Sequence, residues 1–207
     1  MPTISQLRGL RSKARCEGCG LRGKPCVPGF GQTDHPDIAF IAEAPGETEV
    51  EQGRPLVGKA GQFLRMVMKD VGIDENRCYF TNMCICRPDN NKKPSAAMMK
   101  ACKPRLIREI AMLKPKLIVS LGGVPTNGFV GLKRGITLCH GEYKELKFKS
   151  GFTVGAVPTY HPSGVLRGPD FYIDFAEELV KAKSILEGEA PVVLLESPNR
   201  TTTPSGY

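Results

Sequence analysis

The sequence contains no tryptophan, and aromatic residues make up only 7% of its 207 positions. A ligand surface built on stacked indole rings is therefore excluded. No apolar run approaches the roughly 18 residues needed to span a bilayer, so no membrane association is expected. The opening Met-Pro-Thr-Ile-Ser-Gln-Leu-Arg has no apolar stretch of the kind that drives secretion. A cytoplasmic protein is the expectation. Internal repeats are absent too, which removes solenoid and propeller architectures.

The remaining composition is balanced, with 41% hydrophobic and 24% charged residues. That suits one compact domain and argues against wholesale disorder. Residues 1–187 read as a single domain. The stretch 188–207 is mostly polar after Leu195 and reads as a tail, in which Val192–Leu195 could add an edge strand. Lys and Arg number 29 against 21 Asp and Glu, a formal charge of +8. Such a surface attracts polyanions, nucleic acid above all, with an affinity that falls as salt rises.

Four apolar or β-branched runs have the character of strands covered on both faces: Asp37–Ala44, Arg77–Met83, Lys116–Gly122 and Phe152–Tyr160. Helical periodicity lies between them. Lys59–Val71 places Phe63, Leu64, Val67 and Met68 on one face, Ser95–Leu113 starts at a capping serine, and Asp170–Leu186 forms a final amphipathic segment. Thr137–Lys149 could form a short hairpin. Strands alternating with helices predict an α/β fold, a three-layer α/β/α sandwich around a four-stranded, mainly parallel sheet. Ligands of such sheets bind beyond the carboxyl ends of the strands. Glu43–Glu47, Asn82, Gly122-Gly123 and His161–Gly164 all leave the strands at that rim.

Eight cysteines without an export signal point to metal chemistry more than to disulfides. One CxxC knuckle, Cys16-Glu-Gly-Cys19, is flanked by glycines that let backbone wrap closely around a metal. No second CxxC completes a zinc ribbon, because Cys84-Ile85-Cys86 is too tight. Cys78 and Cys139 read as small buried hydrophobes. The segment Gly53-Arg-Pro-Leu-Val-Gly58-Lys59-Ala60 nearly matches a phosphate-binding loop. Alanine stands where a magnesium-binding hydroxyl is required, and no strand leads directly into the loop, so nucleotide hydrolysis is not expected.

Three further stretches occur in a fixed order: AEAPGETEVEQGRPLVGKAGQFL from Ala42, YFTNMCICRP from Tyr79 and YHPSGVLR from Tyr160. In them the sequence resembles the family 4 uracil-DNA glycosylases, the iron–sulfur branch of the uracil-DNA glycosylase superfamily. The resemblance runs from about Cys16 to Arg167. It implies a 4Fe–4S cluster held by Cys16, Cys19, Cys86 and Cys102, with a structural zinc on the same four thiolates as the alternative. In either case the metal would tie the N-terminal segment to the sandwich.

The resemblance also implies roles for the rim. Asn82 would read uracil, since its amide offers the donor and acceptor that match N3–H and O4. An asparagine at a strand end otherwise serves loop backbone. His161 would hydrogen-bond uracil O2 as charge develops on the leaving base, whereas His35 and His140 read as inert. Glu43 and Ala44 would hold uracil through their backbone, and Glu49 would sit near the sugar and the attacking water. Read without the resemblance, Glu47, Glu49 and Glu51 form a solvated acidic turn. Val165 or Leu166 could wedge into the stack vacated by a flipped base while Arg167 holds a phosphate.

The chain departs from the family pattern in two places. Ala42 replaces a usual glycine, and Leu56 stands where the family carries a phenylalanine that stacks on uracil. The histidine-containing basic insertion of a related branch that traps DNA covalently is missing. The expected activity is therefore monofunctional hydrolysis of the N-glycosidic bond of deoxyuridine in DNA, performed by a monomer. A uracil- or DNA-binding module with weak catalysis, and a glycosylase for another modified base, remain as alternatives.

Overall fold

The computed structural model describes Gly9, Cys16 and residues 19–189. The expected edge strand at Val192–Leu195 lies outside the described residues, as does most of the expected tail. No helix among the described residues is long and apolar enough to cross a membrane.

Four strands form the centre: β2 (Ile38–Ala42), β3 (Cys78–Asn82), β4 (Leu117–Leu121) and β6 (Thr153–Thr159). The first three are buried at every residue, as their unbroken apolar character requires. All are parallel, paired β3 to β2, β2 to β4 and β4 to β6. The expected four-stranded sheet needs correction, because among the described residues β1 (Phe30–Gly31) and β5 (Lys144–Lys147) extend it to six strands in the order β1-β3-β2-β4-β6-β5. The additions are antiparallel edges, β1 on β3 and β5 on β6. A pair of exposed residues carries no periodicity, and the charged KELK of β5 falls inside the stretch expected as a separate hairpin. The expected hairpin at Thr137–Lys149 is corrected in the same way: β5 returns through a turn at Phe148–Gly151 to pair with β6.

Helices cover both faces, because side chains of one strand alternate between them. Ile38, Phe40 and Ala42 pack with Leu64, Val67 and Met68 of α2 (Lys59–Asp70) and with Phe175 and Leu179 of α6 (Tyr172–Leu186). Ala39 and Ile41 point the other way, into Cys102, Leu106 and Ile110 of α3 (Ala96–Leu113) and Val124 of the short α4 (Gly123–Pro125). The Ser95 hydroxyl caps α3 by accepting the Met98 N–H at 3.2 Å. Two short helices complete the rim, α1 (Glu47–Gln52) and α5 (Pro162–Val165). The acidic run read as a solvated turn is thus α1.

β3 lies on one side of β2 and β4 on the other, so the winding of the chain reverses between β2 and β4. Parallel sheets open a ligand crevice at such a point, beyond the carboxyl ends of the strands.

Candidate active site

The β2–β3 ladder runs past its formal end. Ala42 opposes Asn82, the Met83 N–H donates to Ala42 O at 2.8 Å, and the Cys84 N–H donates to Glu43 O at 3.0 Å. This sets Asn82 beside Ala42, level with the start of the Glu43–Ala44 turn. Asn82 is 2% exposed and its Nδ2 has no hydrogen-bond partner among the described residues. A buried amide donor without a partner is costly and uncommon. Burial pushes the Glu43 carboxyl above its ordinary range, with Lys93 acting in the opposite direction.

Glu49 sits in the first turn of α1 and joins two loops. Its carboxylate accepts the N–H of Gly46 at 3.0 Å, of Val57 at 3.1 Å and of Gly58 at 2.8 Å. Between those loops Leu56 is buried in the core and adopts φ 55°, a left-handed conformation unusual for a branched residue. The Arg65 guanidinium donates to the Leu56 carbonyl and holds it in that state.

His161 leaves β6 as the N-cap of α5. Its Nδ1 accepts the Ser163 N–H at 3.2 Å and lies 2.7 Å from the Ser163 hydroxyl. Burial lowers its pKa to about 4, the Arg167 charge adds to the depression, and Glu49 opposes it. Gly122, at φ 86°, ends β4 beside it; a Cβ there would lie 2.9 Å from His161 Cβ. Only glycine satisfies both the positive φ and that approach. The structure therefore gathers His161 and Glu49 at one rim, with Arg167 within electrostatic reach.

The wedge reading needs one correction. Val165 is 4% exposed and belongs to the core under α2, whereas Leu166 is 51% exposed. A residue packed against α2 is not free to enter DNA, so only Leu166 fits that task. His140 is partly buried and serves the packing of the fold. Its Nδ1 pairs with the buried Glu178, and its ring lies against Tyr160. His35 is exposed, as expected.

Beside the rim, Cys16, Cys19, Cys26, Cys86 and Cys102 line one pocket with Leu21, Ile85, Met98 and Ala101. Cys26 pairs with Cys86 through a backbone bridge, their sulfurs 2.7 Å apart. The Cys84 thiol is hydrogen-bonded to Cys102, which lowers the Cys102 pKa and raises that of Cys84. Among the described residues, no three of these donors converge in the geometry of a single bound ion. Cys78 and Cys139 are buried elsewhere, and burial pushes Cys78 up to about 12. That agrees with their reading as small hydrophobes.

The family model of the uracil DNA glycosylase superfamily matches residues 28–183. The chain belongs to the uracil DNA glycosylase superfamily. Within it, the chain is 35% identical over 169 residues to a type-4 uracil-DNA glycosylase of Pyrobaculum aerophilum, covering 79% of this chain and 86% of that protein. A type-4 uracil-DNA glycosylase of Sulfurisphaera tokodaii is 36% identical over 165 residues, 77% of this chain and 74% of its own length. One from Thermotoga maritima is 35% identical over 180 residues, 84% of this chain and 91% of its own.

Three features of this superfamily member escaped the sequence. Cys26 stands outside any CxxC, and only its pairing with Cys86 brings it to the pocket. The three amides on Glu49 come from segments brought together by tertiary folding. Arg105, on α3, is 2% exposed and reaches the end of β3, a placement that helical periodicity alone would assign only to a buried position.

Proposed function

We propose that the protein hydrolyses the N-glycosidic bond of deoxyuridine in DNA and leaves an abasic site, the opening step of base excision repair. The observation that carries this reading is the buried, unpartnered Nδ2 of Asn82 at the carboxyl end of β3. A donor held there without a partner suits the O4 carbonyl of a flipped uracil. Cytosine would present an amino group to the same donor and leave both unpaired. The relatives carry the same activity in their names.

In this reading the basic surface docks on phosphates, Leu166 fills the place of the extruded base and Arg167 steadies the backbone. Uracil enters between Glu43, Ala44, Leu56 and Asn82. The C1′–N1 bond breaks and its electron pair stays with uracil as an anion. His161 meets the anion at O2 with an Nε2–H. That proton resides on Nε2 because Nδ1 already accepts from Ser163. A water oriented by Glu49 adds to C1′ and passes its proton toward that carboxylate. Glu49 has this capacity because three amides occupy only part of its acceptor positions.

Cys16, Cys19, Cys86 and Cys102 would hold the 4Fe–4S cluster. The soft donor set and apolar lining of their pocket fit such a group, which would supply a fold-stabilising crosslink. Residues 1–187 would act as one domain, as a monomer in the cytoplasm.

The test is a single-turnover assay on uracil-containing oligonucleotide, with alkaline cleavage at the product. Strand scission dependent on uracil is expected, and duplex affinity should drop by about 0.9 log units per phosphate contact for each decade of salt. Binding without release of uracil would overturn excision.

A further inference from the structure

The outer edge of β3 has a gap in its pairing. β1 covers it at Tyr79 and Phe80, and the chain pairs again where the Val27 N–H donates to Ile85 O at 2.7 Å. Between those points the carbonyls of Asn82 and Met83 face no strand among the described residues on that side. The Arg105 guanidinium fills the gap. Its Nη2 donates to Asn82 O at 2.5 Å and to Met83 O at 3.2 Å, and its Nη1 donates to Thr81 Oγ1 at 3.3 Å. Nη1 also pairs with Glu109, one helical turn further along α3. Both side chains are almost fully buried. Gly29 leaves room for the pair, because a Cβ there would lie 2.6 Å from Glu109 Oε1.

An ion pair buried this deeply is seldom the most stable filling for an interior, and well-packed apolar residues often serve stability as well or better. What a guanidinium adds is a rigid planar fork: Nη1 is anchored on Thr81 and Glu109 while Nη2 bridges both carbonyls. The peptide joining those carbonyls follows directly on the Asn82 Cα. We propose that Arg105 is a positioning residue for uracil recognition, which sets the direction of the Asn82 amide by holding the Asn82–Met83 peptide from outside the pocket. Arg105 lies one turn beyond Cys102 on α3, so the helix that lines the thiol pocket also braces the base-reading strand. This inference rests on the uracil-reading role of Asn82.

The test compares three variants with the wild type by inhibition with free uracil, which samples the pocket without DNA docking. Each is also measured for affinity to uracil-free duplex and for bound iron. Arg105→Met/Glu109→Met removes both charges together and avoids leaving a lone buried carboxylate. Glu109→Gln breaks the ion pair but keeps the fork on the carbonyls. Arg105→Lys keeps the charge and loses the fork. The double variant and Arg105→Lys should weaken uracil inhibition, by up to about 10²-fold for a small misplacement. Their duplex affinity and iron should be unchanged, and Glu109→Gln should behave as wild type in all three. Adding Asn82→Ala to the double variant should cost little more, since the two act as one unit.

Uracil inhibition retained in the double variant would overturn the proposal. So would an equal loss in Glu109→Gln, or a parallel loss of duplex affinity and iron. If the double variant fails to fold, Arg105→Lys decides by the same readout. The underlying reading fails separately, if the wild type neither releases uracil from DNA nor binds it free.

Discussion

The backbone N–H of Ser163 donates to Nδ1 of His161 at 3.2 Å. An N–H can only donate, so Nδ1 is the acceptor and the single proton of the neutral imidazole sits on Nε2. The helix turn that caps α5 thereby selects the tautomer, and burial keeps the ring uncharged by lowering its pKa to about 4.

A neutral donor predicts an unusual pH profile. The single-turnover rate should stay level from pH 8 down through the ordinary histidine value of 6.5 and fall only near 4. A midpoint near 6.5 would show that a charged or solvent-exposed ring does the work. Stability follows the same group. Between 6.5 and about 4 the unfolded chain binds a proton that the folded protein does not, so this contribution is complete above pH 6.5 and is lost as pH falls through the folded value. His161→Ala should slow excision by about 10²–10³, the cost of removing one oxyanion donor.

Glu49 should prove structural as well as reactive. Its carboxylate ties Gly46 to Val57 and Gly58, so Glu49→Ala leaves three amides without their acceptor. A stability loss on the order of 2 kcal/mol is expected from hydrogen bonds to a charged group, together with a large drop in rate. Chemical denaturation of the variant checks the first part. An unchanged midpoint with lost activity would mean that the loops hold without it.

The thiol pocket makes a prediction about colour and composition. Purified protein should be brown and carry about four irons per chain if the cluster is the cubane form. Serine at Cys16, Cys19, Cys86 or Cys102 should lose the metal, while serine at Cys78 or Cys139 should not. Colourless protein with one stoichiometric zinc would replace the cluster reading. Cys26→Ser is the informative variant, since its sulfur lies 2.7 Å from that of Cys86. Iron retained in that variant would leave Cys26 as a neighbour of the cluster and not a ligand.

Leu56 combines burial with a left-handed backbone, a conformation that costs on the order of 1–3 kcal/mol at a non-glycine residue. A leucine can cover a flipped base but lacks the flat face that makes base stacking worth about 1–3 kcal/mol. Leu56→Phe should therefore raise the single-turnover rate or tighten uracil binding, provided its thermal midpoint holds. A well-folded variant with neither change would place Leu56 away from the base.

The sequence by itself determined the layers. Strands buried on both faces write themselves as unbroken apolar runs, and helices as a 3.6-residue period, because each pattern depends only on which neighbours along the chain share a face. The ordered motifs around Glu43, Asn82 and His161 were legible for the same local reason, since each follows directly on a strand end. Tertiary structure decided the rest. β1 and β5 are strands only because β3 and β6 present open edges to them. Val165 and Leu166 are equally apolar in sequence, and only the approach of α2 buries the first and leaves the second in solvent. Cys26 reaches the thiol pocket, and Arg105 the back of Asn82, across 60 and 23 residues of chain respectively. Such pairings depend on how segments distant in sequence pack together, and no local period records that.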